Sequence, residues 1–312
     1  MSWLITGGAG YIGSHIAQLF DDEGLSYYCY DNLSSGLASR IRDVRRLIIG
    51  DIRDEKQFTN AINQFQISGV IHLAAKKSVE ESRNDPILYE ETNFNATRKL
   101  LEICSGAGIS HFIFSSTAAV YGEGHLGKVD ENVELLPISP YGETKMKAEQ
   151  VLTSYINGGL IKGLSLRYFN VIGQSESALR DESVDNLVPK VLSAIQENKR
   201  PQIYGSDYAT PDGTCIRDYV DVRDIAALHL LICKNFKIIN LPTVLNVGTG
   251  SGVSVLEVMQ TIYSKLNLPL NPEILPRREG DPQILVADAR KLKEELRFTT
   301  RYGFAESIGS LL

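Results

Sequence analysis

Cysteine, histidine and tryptophan are scarce in this chain, whose 312 residues hold 4 Cys, 5 His and 1 Trp. Cys29, Cys104, Cys215 and Cys233 stand far apart and form no Cys-x-x-Cys pair, which argues against a disulfide framework or a zinc knuckle and leaves reduced structural thiols. The histidines show no metal-ligand spacing, so no metal site is expected. Missing too is any apolar run near the roughly 18 residues that a membrane-spanning helix needs. The chain passes from Met1 straight into the strand-like Trp3-Leu4-Ile5-Thr6 with no basic leader, and the expected location is the cytoplasm. There is no dense run of Lys or Arg either. At a formal net charge of -6, neither nucleic acid nor an anionic membrane is expected as a partner, and any anion the protein binds needs a local site. Apolar residues are what the chain has in quantity, at 43%, enough for a sizeable core in one large domain or two.

The first apolar segment runs into Gly7-Gly8-Ala9-Gly10-Tyr11-Ile12-Gly13 and then a helix-like stretch from about Tyr11 to Glu23. Gly8, Gly10 and Gly13 keep the spacing G-x-G-x-x-G, which lets backbone amides at a helix N-terminus approach a pyrophosphate. A second apolar strand, Tyr27-Tyr28-Cys29-Tyr30, ends in Asp31, near the distance expected for a carboxylate that binds an adenosine ribose and repels a 2′-phosphate. The expected cofactor is therefore NAD rather than NADP. Leu47-Ile48-Ile49, Val70-Ile71-His72-Leu73, His111-Phe112-Ile113-Phe114 and Leu164 to Phe169 repeat the pattern of short apolar strand and loop, with helical stretches between them. Such alternation predicts a doubly wound parallel sheet of Rossmann type, with about six or seven strands by Asn170 and ligands at their C-terminal ends.

The residues just after each strand are accordingly the informative ones. Asp51-Ile52 suit the flanks of an adenine, and Ala74-Ala75 are small enough to let a cofactor pass. Lys77 reaches a phosphate or is a solvated lysine. Pro86 to Ala107 reads as one long helix, in which Asn93 is a cofactor contact or a satisfied core amide. Ser115-Ser116-Thr117 place three hydroxyls at a strand end, for a substrate hydroxyl or for a turn that closes the strand. In Ser139-Pro140-Tyr141-Gly142-Glu143-Thr144-Lys145 the proline suits a first helical turn, and Tyr141 and Lys145, four residues apart, share a face. A nearby ammonium lowers a phenol from its usual pKa of ~10 and makes it a usable base. Beyond Gly173 the alternation weakens among Pro189, Pro201 and Pro211, and a smaller second domain is expected, residues 171–312 following a first domain of 1–170. The segment at about 216–247 is expected to pack back on the first. Arg217, Arg277 and Arg278 supply guanidiniums suited to phosphate oxygens, or else to ion pairs.

Taken together, Thr6 to His15, Ser115-Ser116-Thr117, Tyr141-xxx-Lys145, Arg167-Tyr168-Phe169-Asn170, Asp212 to Tyr219 and Pro276 to Asp281 resemble the UDP-glucose 4-epimerase family of the extended short-chain dehydrogenase/reductase superfamily. The resemblance spans nearly the whole chain. It implies NAD held by Gly7, Gly10, Tyr11, Ile12, Gly13, Asp31, Asn32, Asp51, Ile52, Leu73, Ala74, Ala75, Lys77, Asn93, Ser115, Tyr141, Lys145 and Tyr168. It also implies a UDP-hexose between the domains, held by Thr117, Asn170, Asn186, Leu187, Tyr204, Arg217, Arg278, Asp281 and Leu285, with Tyr141, Lys145 and Thr117 as the catalytic set. Thr117 stands where many members have serine, and Leu285 where a tyrosine often gates the sugar pocket, so a wider pocket open to N-acetylated hexosamines is expected. A homodimer is the default expectation. Two other readings share the motifs: a 4,6-dehydratase, which needs an acid/base pair where this chain has Ala118-Ala119, and a non-catalytic NAD-binding sensor.

Overall fold

The structure, a computed structural model, describes residues 1–125, 127–183, 185–236 and 240–312. Seven parallel strands form the main sheet, in the spatial order Val244–Val247, Lys162–Tyr168, His111–Thr117, Gly69–His72, Ser2–Thr6, Ser26–Asp31 and Leu47–Ile49. Six of these precede Asn170; the seventh joins only after the chain has left the sheet and come back. Both faces are covered, which is why the inner strands read as nearly continuous apolar runs. Side chains alternate across the pleat. Trp3 and Ile5 pack with Ile16, Phe20, Leu164, Leu166 and Ile225 on one face. Leu4 packs with Phe58, Val70, Leu100, Phe112 and Leu152 on the other.

A second sheet joins Gly252–Ser254, Ile216–Asp221, Ile284–Ala287 and Lys128–Val129, and Asn170–Ile172 pairs alongside Ile216–Asp221. Its core is a separate cluster around Ile172, Val188, Tyr219, Val258, Met259 and Ile262. The segment 216–247 starts in this sheet, then lays helix Val222–Asn235 against helix Tyr11–Asp22 and adds Val244–Val247 to the edge of the main sheet. Residues 237–239 of that segment lie outside the described residues.

Two elements differ from the sequence reading. The stretch from Pro86 is broken by a π-helical turn, Glu90–Asn95, between Pro86–Tyr89 and Ala96–Gly106. Such turns leave little trace in hydrophobic spacing, because they shift the side-chain register by a single residue. The strand from His111 also continues through Thr117, which closes the turn after it by accepting from Ala119 N on its Oγ1 at 3.1 Å. Among the described residues no helix is long and apolar enough to cross a membrane.

The first helix packs directly on the glycine turn because Gly13 has no side chain. A Cβ there would meet Gly8 Cα at 2.7 Å and would also press on the Gly7 carbonyl, backbone that cannot swing away. Gly13→Ala is therefore expected to destabilise the fold by about 1–3 kcal/mol, read from urea unfolding; an unchanged midpoint would show that the helix is free to shift.

Candidate active site

The sheet order reverses on either side of Ser2–Thr6, whose neighbours are Ser26–Asp31 and Gly69–His72. Crossovers leave that point in opposite directions and open a crevice at the strands' C-terminal ends. The glycine turn lies in it. Gly7 adopts φ +70, and a Cβ on it would meet Ala74 N at 2.8 Å. Helix Tyr11–Asp22 then starts at Gly10 with no side-chain cap and no acidic residue in its first turn. Its first backbone bond runs from Ser14 N to Gly10 O at 3.0 Å, so the amides of Tyr11, Ile12 and Gly13 have no acceptor within the helix. Uncapped amides at the positive end of a helix dipole fit a diphosphate.

Asp31 braces this turn. Its carboxylate accepts from Ala9 N at 3.0 Å and Leu33 N at 2.8 Å, and its burial pushes the carboxyl above the usual range while those two bonds pull it down. Asn32 donates to Asp51 at 3.0 Å, and Arg53 also pairs with Asp51, which holds that carboxyl well below the usual range. Ile52 is buried beside them. Leu73, Ala74 and Ala75 follow Gly69–His72 as a half-buried stretch, where Ala74 N donates to Thr6 Oγ1 at 3.3 Å. Lys77 is exposed and pairs with Asp181 at 3.8 Å across the crevice. Asn93 is buried and spends both ends of its amide on the Lys76 backbone, at 2.8 Å each. It clamps the loop that lines the crevice.

Helix Pro140–Asn157 is capped by Ser139, whose Oγ accepts from Gly142 N at 3.2 Å, and its first turns bring Tyr141 and Lys145 to the end of strand His111–Thr117. The Tyr141 phenol stands close enough to the Thr117 hydroxyl to be pulled down by it, and its ring stands edge-on to buried Tyr89 with centroids 6.3 Å apart. Lys145 is buried, donates from Nζ to the Ser115 carbonyl at 2.8 Å, and lies 4.8 Å from the Phe114 ring centroid. One turn further along, Glu149 is held by Arg167 at 2.7 Å.

The expectation that Lys145 lowers the Tyr141 phenol is corrected here. Burial pushes that phenol above its ordinary value, and only the Thr117 hydroxyl pulls it down. Burial also lowers Lys145 itself, to about 7, with the Glu149 carboxylate opposing the fall. The two side chains do share a face, but the ammonium is directed at the Ser115 carbonyl.

On the other side of the cluster a cavity of about 1110 Å³ is lined by Asn170, Asn186, Leu187, Tyr204, Arg217, Arg278 and Asp281, which bring together distant parts of the second half. Arg278 stacks on the Tyr204 ring at 3.7 Å, while Arg217 pairs with Asp281. Tyr219 also lines it, with a buried hydroxyl that has no hydrogen-bond partner among the described residues. Tyr219 closes the motif Asp212 to Tyr219, in which the sequence alone assigns it no role. Leu285 does not line this cavity. It is buried beside Ala118, Val120 and Phe169, in register with Arg217 on the neighbouring strand. The Tyr168 hydroxyl points away from the crevice, to His229 at 3.0 Å. Among the described residues no cluster suits a metal ion.

A dinucleotide-type crevice, a Tyr/Lys/Thr cluster at its sheet edge and an arginine-bearing cavity beyond define an enzyme of the short-chain dehydrogenase class. Residues 3–248 match the model of the NAD dependent epimerase/dehydratase family, and the chain belongs to that family. A UDP-glucose 4-epimerase of Halalkalibacterium halodurans is 37% identical over 99% of this chain and 93% of its own length. The crystal structure of a UDP-glucose 4-epimerase of Stenotrophomonas maltophila, with bound NAD and formylated UDP-arabinopyranose, superposes with a TM-score of 0.94 at 34% identity, over 100% of this chain and 96% of that one. A UDP-Glc/GlcNAc 4-epimerase of Campylobacter jejuni does so with a TM-score of 0.86 at 36% identity, over 99% of this chain and 97% of that one.

Lys145 offers a check on the electrostatics. With its folded pKa depressed to about 7, the folded chain binds fewer protons than the unfolded one above that value. Its contribution to stability therefore rises with pH up to the ordinary lysine value. Between about pH 7 and about pH 9 the ligand-free protein should gain roughly 2 kcal/mol relative to Lys145→Met. Parallel urea-unfolding stabilities of the two across that window would refute the burial of a titrating amine.

Proposed function

We propose that this chain interconverts the C4 epimers of a UDP-hexose, UDP-glucose and UDP-galactose, through a transient 4-keto sugar. The reading is carried by the Tyr141–Thr117 contact, which stands beside the uncapped helix N-terminus and the cavity of Arg217 and Arg278. NAD, when bound at the uncapped N-terminus of helix Tyr11–Asp22, would supply a hydride acceptor and donor for the sugar C4 and the positive charge of its oxidised ring.

The side chains do the rest. Tyr141 takes the proton of the sugar 4-hydroxyl and later gives it back, which in this buried setting requires a positive charge close by. Thr117 stabilises the ionised phenol through its hydroxyl, a role its extra methyl leaves intact. Lys145, pinned to Ser115 O, contributes charge and aligns the helix on the strand end. Arg217 and Arg278 suit the diphosphate, with Asp281 keeping Arg217 in place. Asn186, Leu187 and Tyr204 form the wall where the uracil is assigned, and the unpartnered Tyr219 hydroxyl is a further donor in the same cavity. Hexose turnover about its phosphate bond requires that the nucleotide be held more firmly than the sugar. Ala118 and Ala119 follow Thr117 and have no transferable proton, which disfavours the water elimination of a 4,6-dehydratase.

A second substrate pair, the N-acetylated UDP-hexosamines, is supported by the likeness to the UDP-Glc/GlcNAc 4-epimerase of Campylobacter jejuni. Leu285, which carries no phenol, packs beside Ala118, next to Thr117. We further assign a cytoplasmic homodimer, the default symmetric assembly; one chain mass by light scattering would remove the dimer.

Purified protein incubated with UDP-galactose without added NAD should yield UDP-glucose by NMR, and no conversion even after NAD is supplied would end the epimerase assignment. Tyr141→Phe should lower turnover by about 10³-fold or more while NAD remains bound. Leu285→Tyr should reduce conversion of UDP-N-acetylgalactosamine by about tenfold or more and leave UDP-galactose within a few-fold; equal effects on both would show that Leu285 does not set sugar size.

A further inference from the structure

His15 closes the motif that begins at Thr6, and nothing in the proposed chemistry uses it. With Tyr11 and Gln18 it shares one face of helix Tyr11–Asp22, at a spacing of four and then three residues. All three meet residues 173–176, the segment that follows strand Asn170–Ile172. Tyr11 donates its hydroxyl to the Gly173 carbonyl. Gln18 accepts from Ser175 Oγ at 2.7 Å and donates to the Glu176 carboxylate. Between them, His15 Nε2 takes the backbone N–H of Ser175 at 3.1 Å.

His15 is buried, and its two contacts admit one arrangement of its proton. Nδ1 lies 2.8 Å from the Tyr11 carbonyl, and a carbonyl oxygen only accepts, so Nδ1 carries the hydrogen. A backbone N–H only donates, so Nε2 is bare. Burial lowers the imidazole from its ordinary value, in keeping with a neutral ring. The Tyr11 and His15 rings meet edge to face, with centroids 5.3 Å apart. Tyr11 thus serves this contact with its carbonyl, ring and hydroxyl, while its amide stays without an acceptor within the helix.

The docked segment is part of a cavity wall. Tyr11, Gly173 and Gln174 line the cavity of Arg217 and Arg278, and the chain runs on from them to Asn186 and Leu187 in the same wall; His15 does not line it. On its far side the segment has a second anchor, where Gln174 donates from its backbone N to Ser310 Oγ at 3.0 Å and from Nε2 to Ser310 O at 2.7 Å. Loss of the histidine therefore shifts the wall without freeing it. We propose that His15 is a positioning residue that holds residues 173–176 on the helix whose N-terminus suits the cofactor diphosphate, and so sets the fit of the cavity to a nucleoside diphosphate that it does not touch. The inference rests on the sugar-nucleotide reading of that cavity given above. A buried backbone N–H left without an acceptor is costly enough to be relieved by movement of the segment that carries it.

Two measurements on the holoenzyme test this. Long-range 1H–15N NMR of labelled histidine should find His15 protonated at Nδ1 and bare at Nε2; a protonated Nε2 overturns the proposal. The second is calorimetric titration with UDP alone, which probes the cavity without turnover, set beside the kinetics of UDP-galactose conversion. His15→Leu should weaken UDP about tenfold and raise KM by a similar factor, with kcat and bound NAD within about threefold of the wild type. His15→Gln, whose terminal oxygen accepts where Nε2 did, should bring UDP affinity back to within about threefold. His15→Asn keeps a donor for the Tyr11 carbonyl but does not reach Ser175, so it should behave like His15→Leu and takes its place if the leucine variant fails to fold. Wild-type UDP affinity in His15→Leu and His15→Asn overturns the proposal, as does a loss in His15→Gln equal to theirs, or a fall in kcat or bound NAD with UDP affinity unchanged. UDP binding without epimerisation removes the reaction and leaves the positioning role standing, whereas a wild-type protein that binds no UDP removes both.

Discussion

The site depends on one buried contact, the Lys145 ammonium on the Ser115 carbonyl at 2.8 Å. A cation removed from water is expensive unless its donors are used, and a neutral carbonyl repays only part of that expense. The consequence is visible in the depressed pKa of Lys145 and in the elements gathered around it. The Phe114 ring lies beside the ammonium, and Glu149, itself clamped by Arg167, stands one turn along the same helix. This contact ties helix Pro140–Asn157 to the end of strand His111–Thr117 and so brings Tyr141 to Thr117. The position of the Tyr141 phenol is here a by-product of housing a charge.

Buried histidines bracket the same sheet edge in a similar way. His72 takes a hydrogen bond from Thr6 at Nδ1, 2.7 Å, and gives one to Thr97 at Nε2, 2.9 Å, while Thr97 donates in turn to the Asn93 carbonyl. Thr6 also receives Ala74 N, and Asn93 clamps Lys76, so this line braces the loop from both ends. The π-helical turn Glu90–Asn95 is the element that carries Asn93. His229 is likewise held at both nitrogens, by the Ile225 carbonyl and the Tyr168 hydroxyl. Burial keeps both imidazoles neutral, His72 at about 3 and His229 at about 4. Their value lies in a fixed direction of hydrogen bonding, not in titration. Polar groups sealed into a core are costly unless satisfied, and satisfied ones specify one arrangement.

Much of this was legible in the chain. The glycine turn, the carboxylate at Asp31 and the alternating apolar runs predict the crevice, because helix dipoles and parallel sheets leave few places for a dinucleotide. The spacing of Tyr141 and Lys145 places them on one face. Gathering Asn186, Tyr204, Arg217 and Arg278 into one cavity was legible only through the resemblance of whole motifs, since no local periodicity links residues so far apart. Tyr89, Glu149, His72 and His229 gave no signal beyond a polar or aromatic residue in an apolar segment, a pattern that many satisfied core residues share.

By itself the sequence determined the first six strands of the main sheet and where the anion-binding turn falls, because those follow from backbone sterics and hydrophobic spacing over short stretches. Only the tertiary structure decided the chemistry of individual groups. It raised the phenol of Tyr141 where spacing to Lys145 argued for lowering it, and it turned the hydroxyl of Tyr168 from the crevice toward His229. A pKa and a hydrogen-bond direction are set by desolvation and by neighbours that arrive from other strands and helices, and a residue's position along the chain carries neither.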